Sequence, residues 1–121
     1  MKNVFQVVAA MLLAGWTAAA VSHAMPQREE PAAGSVVEHS PDLVQIWFDA
    51  ELEPGLCSLR VVDGHENQVS RGKAEVDPAN PSLLKASMLP LPVGVYRVYW
   101  RVLSKDGHIT QGDYRFTVRT K

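Results

Sequence analysis

Proline and glycine punctuate this chain so densely that helices of normal length have little room. Between Pro31 and Gly112 they recur at positions 31, 34, 41, 54, 55, 64, 72, 78, 81, 90, 92, 94, 107 and 112. Such spacing suits short strands joined by turns. Residues 43–48 (Leu-Val-Gln-Ile-Trp-Phe) form a short apolar run, expected to be a strand buried on both faces. Residues 57–62 end in Asp63-Gly64, a turn signal. Residues 82–89 are a weaker strand candidate, expected at a sheet edge. The clearest strand spans 95–103, where Tyr96, Val98, Trp100 and Val102 share one face and Arg97, Tyr99 and Arg101 the other. Residues 114–119 repeat the pattern with Tyr114, Phe116 and Val118 inward. Gly107 and Gly112 fall between these two strands, which predicts a long-looped hairpin. Five to seven strands and no amphipathic helix imply an all-β sandwich of one domain. Trp47 and Trp100 read as core residues, and Arg97 and Arg101 as cover for an outer face available to a partner.

Charge narrows the functional classes. Twelve Lys and Arg against 13 Asp and Glu give a formal charge of −1, which offers no electrostatic basis for binding nucleic acid or an anionic membrane. A single cysteine, Cys57, excludes an internal disulfide and every zinc or iron–sulfur site built from several thiolates.

The amino-terminal segment reads as a signal peptide. Met1-Lys2-Asn3 is a short positive start, and residues 4–20 are apolar or small apart from Gln6 and Thr17. The apolar centre at 7–16 has the length of a signal core and is short for a membrane span. Two cuts satisfy the small-x-small rule. Cleavage after Ser22 leaves His23 first, and cleavage after Ala24 leaves Met25 first. The first cut leaves 99 of the 121 residues and removes only Lys2 among charged residues, so 11 basic face 13 acidic groups and the charge becomes −2. Export into an oxidising compartment makes Cys57 either a buried, inert thiol or an exposed liability.

Four histidines, at 23, 39, 65 and 108, are the candidate ligands. His39 precedes Ser40-Pro41 and His65 follows a turn, so both read as solvated loop residues. His108 stands two residues after Asp106; in extended backbone such residues point the same way, so a carboxylate oxygen and an imidazole nitrogen can converge on one ion. With cleavage after Ser22, His23 offers its α-amine and ring nitrogen from a single residue. The α-amine titrates near 7.7, so a metal displaces its proton at modest cost. His23, Asp106 and His108 together supply three nitrogens and one oxygen, a tetragonal set suited to Cu(II). Cleavage after Ala24 would remove His23 from that set.

The run Tyr96-Arg97-Val98-Tyr99-Trp100-Arg101-Val102-Leu103-Ser104-Lys105-Asp106-Gly107-His108, with Gly112 and Tyr114-Arg115-Phe116-Thr117-Val118 after it, resembles the C-terminal signature of the CopC-type periplasmic copper-binding proteins. That signature is Tyr-x-Val-x-Trp-x-Val-x-Ser-x-Asp-x-His, then a Gly and a terminal strand. Pro31-Ala32-Ala33-Gly34-Ser35 is similar to the family's Pro-Ala-x-Gly-Ser turn, eight residues after its N-terminal His, and Leu91-Pro92-Val93-Gly94-Val95-Tyr96 also fits. The resemblance implies a Greek-key β-sandwich or barrel, cupredoxin-like or immunoglobulin-like. It further implies one Cu(II) ion held by His23, Asp106 and His108, cleavage after Ser22, and a domain over residues 23–121. Copper binding and handover in the periplasm, alongside a CopD-type inner-membrane protein, is the role it suggests. Only Met25 and Met88 remain in the mature chain, so the Met-rich Cu(I) loop of some members is not expected. Ala50 stands where some members carry a Glu, between Asp49 and Glu51, and no accessory carboxylate is assigned.

Three classes follow. The leading one is a non-enzymatic copper carrier of copper resistance or homeostasis. A metal-free interaction module of immunoglobulin-like shape is the second. The third is a small copper oxygenase with an N-terminal His chelate, for which about 100 residues leave little substrate-binding face.

Overall fold

The computed structural model describes residues 24–120. Eight strands make up the fold: β1 (Pro26–Glu30), β2 (Val36–Val37), β3 (Leu43–Phe48), β4 (Ser58–Val62), β5 (Ser70–Asp77), β6 (Asn80–Met88), β7 (Gly94–Leu103) and β8 (Ile109–Val118). They form two four-stranded sheets, β1-β3-β6-β5 and β2-β8-β7-β4. Neighbours are antiparallel except β2, which runs parallel to β8. Because β3 lies beside β6 and β4 beside β7, the chain crosses between sheets as a Greek key does. The all-β sandwich read from the sequence is the fold observed.

Alternation explains the packing. Tyr96, Val98, Trp100 and Val102 of β7 and Tyr114, Phe116 and Val118 of β8 point inward and are buried, as the period-two pattern requires. They meet Val44, Ile46 and Phe48 of β3 across the sandwich. The Trp100 ring abuts Phe48 edge-on, with centroids 5.2 Å apart and planes at 71°, and Tyr96 stacks on Phe116 at 5.7 Å.

Five expectations change. The strand at 43–48 is present, yet only one of its faces is fully buried: Gln45 and Trp47 sit half-covered on the other. Trp47 is therefore not a core residue; it pairs across the ladder with Arg28, whose guanidinium lies 4.7 Å from its ring centroid. β6 is an interior strand, paired on both sides, rather than an edge. The edge role falls to β1 and β5, which the apolar pattern did not reveal because edge strands carry charge (Arg28, Glu29, Glu30; Arg71, Lys73, Glu75) instead of apolar runs. Counting β1, β2 and β5, the strands number eight rather than five to seven. Finally, β8 starts at Ile109, so the hairpin loop is short, residues 104–108 only.

Over 109–113 the inward positions of β8 are Thr110 and Gly112, neither of them apolar and large, so no alternating pattern marks the strand there. Gly112 pairs with Trp100, and a Cβ on Gly112 would lie 2.6 Å from Cζ2 of that indole. The missing side chain makes room for the ring, which could not otherwise lie across the neighbouring strand. Gly112→Ala is expected to destabilise the fold by about 1–3 kcal/mol through overpacking. Gly64→Ala, where a Cβ meets nothing within 4 Å, should stay within about 0.5 kcal/mol of the parent. Urea unfolding followed by tryptophan fluorescence measures both.

Candidate metal centre

The loop at 104–108 is tied down at its base before it presents any ligand. Ser104 is buried, donates its N–H to the His108 carbonyl at 3.0 Å, and accepts the Gly107 N–H at 2.9 Å. Gly107 turns the chain with φ +90°, a left-handed conformation that L side chains rarely adopt. The Ser104 hydroxyl donates to Asp106 Oδ1, which also accepts the His108 N–H at 3.2 Å. On the same oxygen, His108 Nδ1 closes to 3.2 Å. Asp106 and His108 are thus brought together at a half-exposed loop tip, by a turn through Gly107 and not by the extended backbone expected from the two-residue spacing.

These contacts set the electrostatics. The Ser104 hydroxyl first, and the His108 N–H second, hold the Asp106 carboxyl below the ordinary carboxylate range. It is an anion throughout the neutral range, ready to pair with a cation. Alongside runs the acidic segment 49–53, joined to the loop by Glu53 N–H to Leu103 O at 2.9 Å, Lys105 N–H to Glu51 O at 3.0 Å, and a Leu52–Ser104 bridge. Asp49, Glu51 and Glu53 therefore flank the loop and favour approach of positive ions.

The amino-terminal end of the described chain reaches this loop. Ala24 is fully buried in the core, and its carbonyl accepts the Thr110 hydroxyl at 2.7 Å. Thr110 is two residues beyond His108. Next along, the Met25 N–H donates to Asp49 Oδ1 at 2.8 Å, and the Asp49 N–H donates to the Met25 carbonyl at 3.0 Å. His23 and the leader at 1–22 lie outside the described residues. Among the described residues no three His, Cys, Asp or Glu are grouped to hold a metal; of the three ligands expected from the sequence, Asp106 and His108 are described and adjacent.

Other candidates are elsewhere. His39 and His65 are exposed in loops, the latter's N–H bonded to Asp63 Oδ1 at 2.8 Å. Met88 is buried in the core while Met25 is exposed. Cys57 is half-buried, with its thiol directed at the carbonyls of Glu53 and Leu103, and burial above all pushes its ionisation up. It is intermediate between the two readings, neither fully buried nor exposed. Ser104, Thr110 and Asp49 are the residues the sequence reading did not assign. Only Ser104 carried a signal, as the serine two places before the aspartate.

A β-sandwich bearing an Asp-x-His loop at one end of its terminal hairpin is the class these features define. Residues 27–119 match the CopC domain, and the chain belongs to the CopC family. It is 32% identical over 115 residues to copper resistance protein C of Escherichia coli, covering 89% of this chain and 90% of that protein. It is 25% identical over 118 residues to the copper transport protein CutJ of Bacillus subtilis (strain 168), 97% of this chain but only 22% of that longer protein. Among solved structures, CopC from Methylosinus trichosporium OB3b superposes with a TM-score of 0.72 at 35% identity, over 81% of this chain and 95% of that one. The methionine-rich copper resistance protein PcoC of Escherichia coli gives 0.62 at 32% identity, over 81% and 100%.

The role assigned to Ser104 has a direct readout. In Ser104→Ala the Asp106 carboxyl loses its main donor, and its pKa should rise toward the ordinary value near 3.8. A group depressed in the folded state contributes stability that is complete above its unfolded pKa and lost as pH falls through the folded value. The variant should keep only the part of that acid-side dependence owed to His108, and carboxyl NMR titration of the metal-free protein reads the upward shift of Asp106.

Proposed function

We propose that the mature protein begins at His23, after removal of a signal peptide at 1–22, and is a non-enzymatic Cu(II) carrier of the periplasm. One ion is bound by the His23 α-amine and ring nitrogen, the Asp106 carboxylate and the His108 ring. The observation that carries this reading is the Thr110 hydroxyl bond to the Ala24 carbonyl. It ties the residue immediately after His23 to the strand that leads out of the Asp106–His108 loop. Cleavage after Ala24 would discard a fully buried residue together with that bond, which favours the cut after Ser22.

The chemistry of the donor set agrees. Nitrogen and carboxylate donors suit Cu(II), whereas Cu(I) selects thiolates and thioethers. Both methionines of the mature chain lie away from a shared loop. Copper is cargo here: the exposed loop tip and the acidic segment beside it favour capture and release rather than a closed structural site. The relatives named for copper resistance and copper transport support the same cargo for this chain. A CopD-type inner-membrane protein is the acceptor we assign, since the segment of CutJ similar to this chain belongs to a copper transport protein. Among the described residues no helix is long and apolar enough to cross a membrane.

Mass spectrometry of the exported protein should find His23 first, and a chain starting at Met25 would overturn the four-donor site. Cu(II) titration followed by electron paramagnetic resonance should give one ion with nitrogen couplings. His108→Ala should weaken binding by at least about tenfold and alter the spectrum; an unchanged affinity and spectrum would remove the basis of the carrier reading. Binding should strengthen as pH rises through neutrality, because the metal competes with protons on its nitrogen donors, among them an α-amine that titrates near 7.7. The copper-loaded protein should not consume oxygen with a reductant and a polysaccharide, as an oxygenase would.

A further inference from the structure

The outer face of the β2-β8-β7-β4 sheet carries a charge opposite in sign to the chain as a whole. Arg60 on β4, Arg97 and Arg101 on β7, and Arg115 on β8 occupy its outward positions, with Asp113 as the one carboxylate among the described outward residues of these strands. Asp63 and Glu66 of the turn after β4 border Arg97 and Arg115, so the excess positive charge of this face gathers at Arg60 and Arg101, within a chain of −1. Two of the arginines, Arg60 and Arg97, are held in place against Tyr99. The Arg60 guanidinium lies 4.4 Å from the Tyr99 ring centroid and that of Arg97 5.8 Å. Arg97 also donates to the Tyr99 hydroxyl at 3.4 Å and pairs with Asp113 at 3.5 Å. Beside Tyr99 opens a groove of about 500 Å³, walled by Ser58, Arg60, Arg101, Gln111 and Asp113.

Guanidinium groups ordered by an aromatic ring present planar forks that match carboxylates two bonds at a time. Neither the core, which is on the opposite side of the sheet, nor the metal centre uses any of these side chains. We propose that this face docks a protein partner by receiving a carboxylate-rich segment across the groove. Charge complementarity favours that occupant over a lipid surface. The face has no lysine, and of its large exposed aliphatics Val36 and Val95 flank Thr117 at one end while Ile109 stands at the other, so no apolar ridge surrounds Arg60 and Arg101. Position adds to the case. Arg101 pairs with Gln111, only two steps from the Leu103–Ile109 pair that closes the Asp106–His108 loop, so a partner seated there lies beside that loop. The proposal does not rest on copper binding, since no residue of the groove is a ligand in it.

The test uses the exported protein, labelled for amide NMR, with an oligoglutamate of about ten residues as probe at low salt. Shifts confined to Ser58, Arg60, Tyr99, Arg101, Gln111 and Asp113, fading as salt shortens the Debye length to a few ångströms, are the expected result. Arg60→Glu with Arg101→Glu should weaken the probe by about tenfold or more while leaving circular dichroism and the Cu(II) titration unchanged. Arg60→Gln with Arg101→Gln, which only removes charge, should weaken it less and serves if the reversal impairs folding. Failure of oligoglutamate to bind, or shifts spread over the whole surface, would overturn the proposal. So would arginine-dependent binding to phosphatidylglycerol vesicles in place of the peptide, or a dimer in sedimentation that the same double variant dissolves.

Discussion

The β7–β8 hairpin depends on Trp100 lying over Gly112. Ten residue pairs join these strands, and that one pair combines the largest side chain with none at all. The indole covers the backbone of its neighbour strand and reaches Phe48 on the opposing sheet, so a single contact fixes both the register within one sheet and the packing between two. A slip of one residue would turn every inward aromatic to solvent. The loop at 104–108 and the arginine face are both consequences of that register, one at the end of the hairpin and the other on its outer side.

Function is distributed by the same geometry. At one end the hairpin presents Asp106 and His108, and the buried Ala24 brings the amino-terminal segment to Thr110 from 86 residues away in sequence. Carboxylate-bearing residues of segment 49–53 flank this end, whereas arginines gather on the outer sheet face. A chain of nearly balanced charge is therefore locally polarised, with an anionic end suited to a cation and a cationic face suited to acidic groups. Net charge, which averages over both, conceals the division.

Legibility in the sequence followed the strength of the apolar signal. β7 and the inner half of β8 were readable because their inward residues are large and alternate, β3 because it is a short apolar run, and β4 because it ends in the Asp63-Gly64 turn. β1 and β5 were not, since an edge strand is defined by hydrogen bonds to a neighbour and is protected by charges that break any apolar pattern. Trp47 was misplaced because a tryptophan can be covered as well by a guanidinium on an adjacent strand as by the core. At the candidate site, Asp106 and His108 were legible from a two-residue spacing. Asp49 and Thr110 were not, because their roles consist of bonds to Met25 and Ala24 that only folding creates.

What the sequence by itself determined is the local chemistry: an alternating aromatic hairpin, an Asp-x-His loop, and the exclusion of thiolate sites by a lone cysteine. These depend on residue type and spacing of a few positions, which the backbone period translates directly into faces. Tertiary structure alone decided that the buried Ala24 meets Thr110, that segment 49–53 flanks the loop, and that four arginines from three strands share one face with Tyr99. Those are contacts between residues distant in the chain, and it is the closing of two sheets around one core that brings them together.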